Sequence, residues 1–517
     1  MLVVLVAAAV GLASPAPAQP ASPLLRSLGS SEAGAIPKRV LSEDTYGASE
    51  QNWEAVQDTS GVLYMGNTAG VVIYDGYEWQ TAPIANESIA RSVAVDSGGT
   101  VYVGAQSDLG VLRPDSTGGW RFASLLSFVP EADRTFADVW STDAIRSGIY
   151  FQAKDRLFRW NPDAKRLHTW RPPGAHFQFA DAVRDTLFVN VAETGLVATQ
   201  GDSLYPVPGG AVFADQTVRS ILPHRSAGLM VVTQNGLFVR QGQTFQRFTT
   251  EVDTLLSDAW VSSGTRGPDG LIVLSTIDRG VVLLGPDGAL LRHFPVDGLP
   301  ALDVYIDQEQ GLWAILDGGL RRYDLAAPYT EHGARVDLES VADITRHNGS
   351  LYAATFRGVY RLRSGPHGTA TTEQIMPQQS WALLSTREGL LIGKSYGLYR
   401  VRETGAPAHL VEVDHVYDLL RSSVDSTRLY AATSSGIRIL RRTAAGWTPQ
   451  PVPPSVQTKV QTEVRRLAEA EDGTVWAGTI YDGLYRLRFG TTSTGATAPA
   501  TASATVDHYS HAHGLPS

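Results

Sequence analysis

A turn glycine recurs along this chain about every 40 residues, and that spacing constrains the fold more than any other feature. Gly195, Gly236, Gly280, Gly319, Gly358, Gly397, Gly436 and Gly483 are separated by 41, 44, 39, 39, 39, 39 and 47 residues, and upstream Gly70 and Gly110 are 40 apart. The segments around them share one form. Residues 350–362 read SLYAATFRGVYRL, 389–401 GLLIGKSYGLYRV, 428–440 RLYAATSSGIRIL and 473–487 GTVWAGTIYDGLYRL. Each is a short apolar run, a polar turn ending in glycine, and a second apolar run, which is the pattern of a β-hairpin whose glycine supplies a positive φ. A glycine-free copy, IYFQAKDRLFRW, occupies 149–160, giving eleven units.

Another apolar run precedes each hairpin, as in Val341-Ala342-Asp343-Ile344, Trp381-Ala382-Leu383-Leu384, Val416-Tyr417-Asp418-Leu419 and Val464-Arg465-Arg466-Leu467, and a less regular fourth segment follows. Four short strands per unit of about 40 residues is the period of a propeller blade, and none of the runs is a ten-residue amphipathic stretch that a helical repeat would need. Apolar residues sit side by side, as in Leu351-Tyr352-Ala353-Ala354, so both faces of each sheet are expected to be covered. The fold class is therefore all-β, a β-propeller repeat. A ring holds four to eight blades, so eleven units imply two rings. Seven units counted from Gly70 end near Arg322-Tyr323-Asp324, and four remain. The expected division is an export signal at 1–22, a linker at 23–47, a complete seven-bladed propeller at 48–330 and an incomplete second propeller of about four blades at 331–517. His513-Gly514-Leu515-Pro516 repeats the form of Asp297-Gly298-Leu299-Pro300, which stands before a unit, so the sequence is expected to be the N-terminal part of a longer protein or a truncated gene product.

The export signal rests on the apolar run Leu2–Ala13 and the small-residue pair Ala16-x-Ala18. The run is shorter than the 20 or so residues of a membrane span, and no cation precedes it, so an uncleaved anchor or a buried strand are the alternatives. A net charge of −9 offers no basic face for nucleic acid. The absence of cysteine excludes disulfides, thiolate metal sites and a cysteine nucleophile.

Several residues invite a functional reading. Asp472-Gly473-Thr474-Val475-Trp476 resembles the aspartate box of sialidases, a turn-forming element and not an active site. His508, His511 and His513 could ligate a metal, but they follow the Ala/Thr/Ser/Gly-rich stretch Thr491–Thr505 and suit a solvated strand. Asp278, Arg279 and Asp482 precede turn glycines, where they either face a ligand or satisfy the turn. Trp53, Trp79, Trp313 and Trp476 could stack on sugars, with packing between blades as the alternative. There is no P-loop, no HExxH and no GxSxG in a strand-turn-helix setting. No catalytic residue, cofactor or metal site is expected, and no ligand-binding residue is assigned.

Gln51-Asn52-Trp53-Glu54-Ala55-Val56-Gln57-Asp58, with Gly61–Asn67 and Tyr74-Asp75-Gly76-Tyr77-Glu78-Trp79, resembles the opening blade of two-component regulator propeller proteins, the extracytoplasmic sensor regions of bacterial signalling receptors. Val304–Asp307, Gly311-Leu312-Trp313 and Arg321-Arg322-Tyr323-Asp324 are similar to the passage between their two propellers, and Glu471–Thr479 is similar to their repeat motif. The resemblance covers about residues 48–517. It implies two seven-bladed propellers, a β-sandwich with a triple-tyrosine motif, often a membrane helix, and a histidine kinase or DNA-binding output, the later parts of which are not in this sequence. It also implies a ligand that is often carbohydrate-derived, although no ligand-contacting residue can be matched. The expected function is thus ligand sensing in the periplasm or cell envelope. A small molecule or carbohydrate would be the partner, membrane attachment would run through segments outside the repeats, and a homodimer would form in the complete receptor. A protein-binding scaffold and a propeller lyase or hydrolase are the alternatives.

Overall fold

The structure is a computed structural model that describes residues 22–30, 34–116, 118–224, 228–332, 338, 340–364, 370–403, 405–444, 446–490 and 503–515. The export signal expected at 1–22 lies, but for Ser22, outside the described residues, as does most of the stretch Thr491–Thr505. Among the described residues there are eleven antiparallel sheets of four strands each, and no helix is long and apolar enough to cross a membrane. The chain divides into two compact units, one built on residues 36–329 and the other on 330–517 with 31–35.

The first unit holds seven blades. Their innermost strands are Asn52–Gln57, Ala90–Val95, Val139–Ile145, Phe177–Val183, Val218–His224, Val261–Arg266 and Ala301–Ile306. Each packs against the next and the seventh packs against the first, so the ring is closed. The glycines that mark the repeat begin the third strand of most blades. At Gly358 φ is +146°, and a Cβ would overlap the Met376 carbonyl oxygen of the fourth strand. A buried threonine finishes the second strand of several blades and closes the turn by donating to the glycine carbonyl. Thr276 Oγ1 reaches Gly280 O at 2.8 Å, and Thr433 Oγ1 reaches Gly436 O at 2.9 Å. Tyr64, Tyr150 and Tyr430 are among the largest fully buried side chains, filling the gaps between successive sheets.

The segment 23–47 is not the linker that the sequence suggests. Helix Pro23–Leu28 buries Leu25 and Leu28 in the core between blades 6 and 7, and Lys38–Leu41 forms the outer strand of blade 7. Its register sets Lys38 against Tyr323 and Leu41 against Leu320. The first strand of the unit therefore completes its last blade, and the two ends of the ring are joined by a β-ladder.

The second unit contains four blades, whose innermost strands are Val341–His347, Ser380–Thr386, Val416–Arg421 and Val464–Glu469. They pack in series. On the first of them Val341 and Ile344 are 45% and 61% exposed, so the outward face of that blade is uncovered among the described residues.

Candidate functional site

The inner strands of a propeller have one free edge, and its N–H groups need partners. In the first unit, side chains of one blade supply them to the next. Glu54 Oε2 accepts from the Val93 N–H at 3.1 Å, Asp143 Oδ1 from Ala182 at 2.8 Å, Asp181 Oδ2 from Ile221 at 3.2 Å and Ser220 Oγ from Gly264 at 2.8 Å. Ser92 Oγ donates to the Val139 carbonyl at 3.0 Å. Asp303 accepts from Ser263 Oγ at 2.6 Å and from the Ala55 backbone, joining blades 6, 7 and 1. Burial pushes all four carboxyls up, Asp143 and Asp303 to about 6, and mutual repulsion with Asp303 and Asp143 adds to the rise at Glu54. These acids belong to the wall of the channel. The second unit uses the same device, with Asp343 accepting from Leu383 N–H at 2.7 Å and Asp418 from Leu467 N–H at 2.8 Å.

A second regularity builds the mouth. Each of the eleven innermost strands slips register directly after its first residue. A β-bulge there leaves the second residue unpaired and re-aims its side chain. In the first unit these residues are Trp53, Arg91, Trp140, Gln178, Arg219, Ser262 and Leu302; in the second they are Ala342, Trp381, Tyr417 and Arg465. The first three meet one another. The Arg91 guanidinium lies 3.9 Å from the Trp53 ring centroid and 5.0 Å from that of Trp140, while the two indoles stand edge to face at 6.1 Å. Asp138 holds Arg91 in place at 2.9 Å. Trp140 remains 47% exposed, leaving an open aromatic surface on a rigid strand. The second unit repeats the arrangement, with Arg465 3.8 Å from the Tyr417 centroid and Trp381 edge to face with Tyr417 at 5.4 Å.

Polar atoms at this rim of the first unit are left over. Trp53 Nε1, Arg91 Nη1 and Arg219 Nε are buried donors without an acceptor, and Gln152, Asn190 and Gln234 each carry a buried Oε1 or Oδ1 without a donor. Buried polar atoms are normally paired, and a rim that carries unpaired atoms of both kinds together with an exposed indole suits a ligand rich in hydroxyls, which both donate and accept. The opposite rim has a cleft of about 450 Å³ between Pro223, His224, Arg266, Asp269 and Pro286, where His224 Nδ1 and Arg266 Nη1 are 3.4 Å apart.

Most residues singled out by type in the sequence turn out to be engaged locally. Asp278 accepts from the Trp260 N–H at 2.9 Å and pairs with Arg279 at 3.4 Å. Asp482 accepts from the Tyr485 hydroxyl and lies 3.3 Å from His508 Nε2. Asp472 accepts from the Thr474 N–H at 2.9 Å, which holds its carboxyl below the ordinary value. Trp79 stacks on Tyr74 at 4.1 Å, Trp313 is buried with its Nε1 2.9 Å from Asp307 Oδ2, and Trp476 lies against Tyr509. Of the four tryptophans only Trp53 reaches the mouth. The three histidines do not converge. His511 Nδ1 meets Leu515 O at 2.9 Å and His513 Nδ1 meets Ser510 N at 3.1 Å, and no cluster of metal-ligating side chains exists among the described residues. Arg91, Trp140 and Arg219 escaped the sequence reading, although each is the second residue of an inner run.

No protein-family model and no curated protein matches the chain. Solved structures do. The extracellular domain of a candidate hybrid two-component system, BT3049 from B. thetaiotaomicron, superimposes with a TM-score of 0.65 at 15% identity, over 87% of this chain and 65% of that one. The extracellular domain of BT4673 from the same organism, described as a candidate one-component system, gives 0.45 at 14% identity over 92% and 73%. Virginiamycin B lyase from Staphylococcus aureus gives 0.43 at 12% identity over 56% and 98%. The chain thus spans less than two thirds of the BT3049 domain and shares its β-propeller fold.

Proposed function

We propose that this chain is the extracytoplasmic sensor region of a two-component-type signalling receptor, and that it binds an oligosaccharide or similar polyhydroxylated molecule at the bulge-built mouth of the seven-bladed ring. The fold shared with the BT3049 extracellular domain supports the sensor reading. The observation that carries the ligand reading is the Trp53–Arg91–Trp140 cluster with its two leftover donors, on a rim that also holds unpaired acceptors. Sugar rings present apolar C–H faces that lie on indoles, and their hydroxyls answer unpaired N–H and C=O groups. The site reads as binding and not catalytic, because Asp138 at the mouth is paired with Arg91 and the channel-wall acids are committed to the backbone of the neighbouring blade.

Thermal unfolding of the purified protein across a panel of neutral and acidic oligosaccharides tests this. A subset should raise Tm by several degrees in wild type and less in Trp140→Ala. A flat response across the panel would remove the saccharide reading. The scaffold alternative draws on Tyr396 and Tyr481, 64% and 95% exposed on turns of the second unit, and predicts a stoichiometric envelope-protein complex instead.

A further inference from the structure

We infer that the ligand of the first unit's mouth carries an anionic group, a carboxylate or a sulfate, and that Arg219 receives it. This deepens the saccharide reading and rests on it for the rest of the ligand. The seven bulge positions hold two cations and no acid. The two cations differ in their company. Arg91 has Asp138 at 2.9 Å and lies between two indoles. Arg219 makes no ion pair and no side-chain hydrogen bond with any described residue, although it is half-buried and its Nε is sealed from solvent. Burial alone holds its pKa below the ordinary guanidinium value, and no carboxylate offsets this. A desolvated guanidinium without a counter-charge is costly, and an incoming anion removes the cost. The planar fork of donors on arginine matches a carboxylate or sulfate in particular.

The channel acids do not compete for this role. Asp181, on the neighbouring blade, lies three residues further along its strand than the bulged Gln178, about 10 Å away along the strand. Its carboxylate is bonded to Ile221 and Ala182 N–H groups, and its charge has no part in the Arg219 shift. Neither do Glu54, Asp143 and Asp303, the other three acids of the channel wall.

The test compares wild type with Arg219→Gln by thermal unfolding in sodium chloride and in sodium sulfate at matched ionic strength, and with sodium D-galacturonate against D-galactose. Sulfate stabilises proteins generally, so the readout is the difference between the two proteins. The expected result is a Tm gain from sulfate and from galacturonate that is larger in wild type by a degree or more, with R219Q melting no lower than wild type in chloride because an uncompensated cation has been removed. Equal responses in the two proteins, no response to either anion, or a large loss of Tm in R219Q in chloride would overturn the assignment. An Arg219-dependent sulfate gain without any saccharide response keeps the anion site and removes the saccharide reading. Equal stabilisation by galactose and galacturonate in both proteins does the reverse.

Discussion

Four half-buried carboxyl groups in one channel wall set the behaviour of this protein at the residue scale. Desolvation raises the pKa of Glu54, Asp143, Asp181 and Asp303, and for Asp143 and Asp303 it reaches about 6. An acid whose folded-state pKa exceeds its unfolded value favours folding when protonated, so the contribution is complete below about pH 4 and is lost as pH rises through 6. Asp75, Asp202, Asp472 and Asp507 are held below the ordinary value by hydrogen bonds, and they withdraw their stabilisation as pH falls below about 4. His168 and His347, lowered by burial, act in the opposite direction, but they are two groups set against these four. Differential scanning calorimetry should therefore give a higher Tm at pH 5 than at pH 7.5. Asp303→Asn keeps an acceptor for Ser263 and the Ala55 backbone and should narrow that difference. A Tm that rises steadily from pH 5 to 7.5, or a D303N profile identical to wild type, would contradict the account.

At the scale of the element, closure depends on four residues, Lys38–Leu41, paired with Gly319–Asp324 across some 280 residues of sequence. Replacing Lys-Arg-Val-Leu at 38–41 by Gly-Ser-Gly-Ser removes the outer strand of blade 7 and leaves residues 34–35 in place. Hydrogen exchange should then quicken in Gly319–Asp324 while the inner strands of blades 3 and 4 keep their protection. Unchanged exchange at Gly319–Asp324 would show that the strand contributes nothing to closure. The elements that were legible in the sequence are those that repeat. The glycine spacing located the hairpins of blades 8 to 10 to within a residue or two, because a positive φ against a neighbouring carbonyl tolerates little else. Lys38–Leu41 was not legible, since a four-residue strand outside the repeat carries no period, and its partner is set by ring geometry. The mouth stayed hidden for a related reason. The bulge fixes where the second residue of each inner run points but not its type, so tryptophan, arginine, glutamine, serine and leucine all occupy it. Asp278 and Asp482 drew attention because they precede turn glycines, but each is engaged within the blade, by the Trp260 N–H and the Tyr485 hydroxyl respectively.

For the whole molecule, the repeat separates two jobs. Glycines, threonines and buried tyrosines build the blades, and the bulged positions are released to vary, which lets a rigid ring present a specific surface. Both units carry the same aromatic and arginine grouping at that position, Trp53–Arg91–Trp140 in one and Trp381–Tyr417–Arg465 in the other. If the proposed function is right, ligand enters by the bulge rim and not by the opposite cleft. Isothermal titration of the tightest-binding oligosaccharide of the panel into wild type, Trp140→Ala and Asp269→Asn tests it most directly. Loss of an open indole should weaken binding about tenfold or more, equivalent to about 1.4 kcal/mol, while D269N at the far rim stays within about twofold of wild type. Full affinity in W140A, or a comparable loss in D269N, would contradict it.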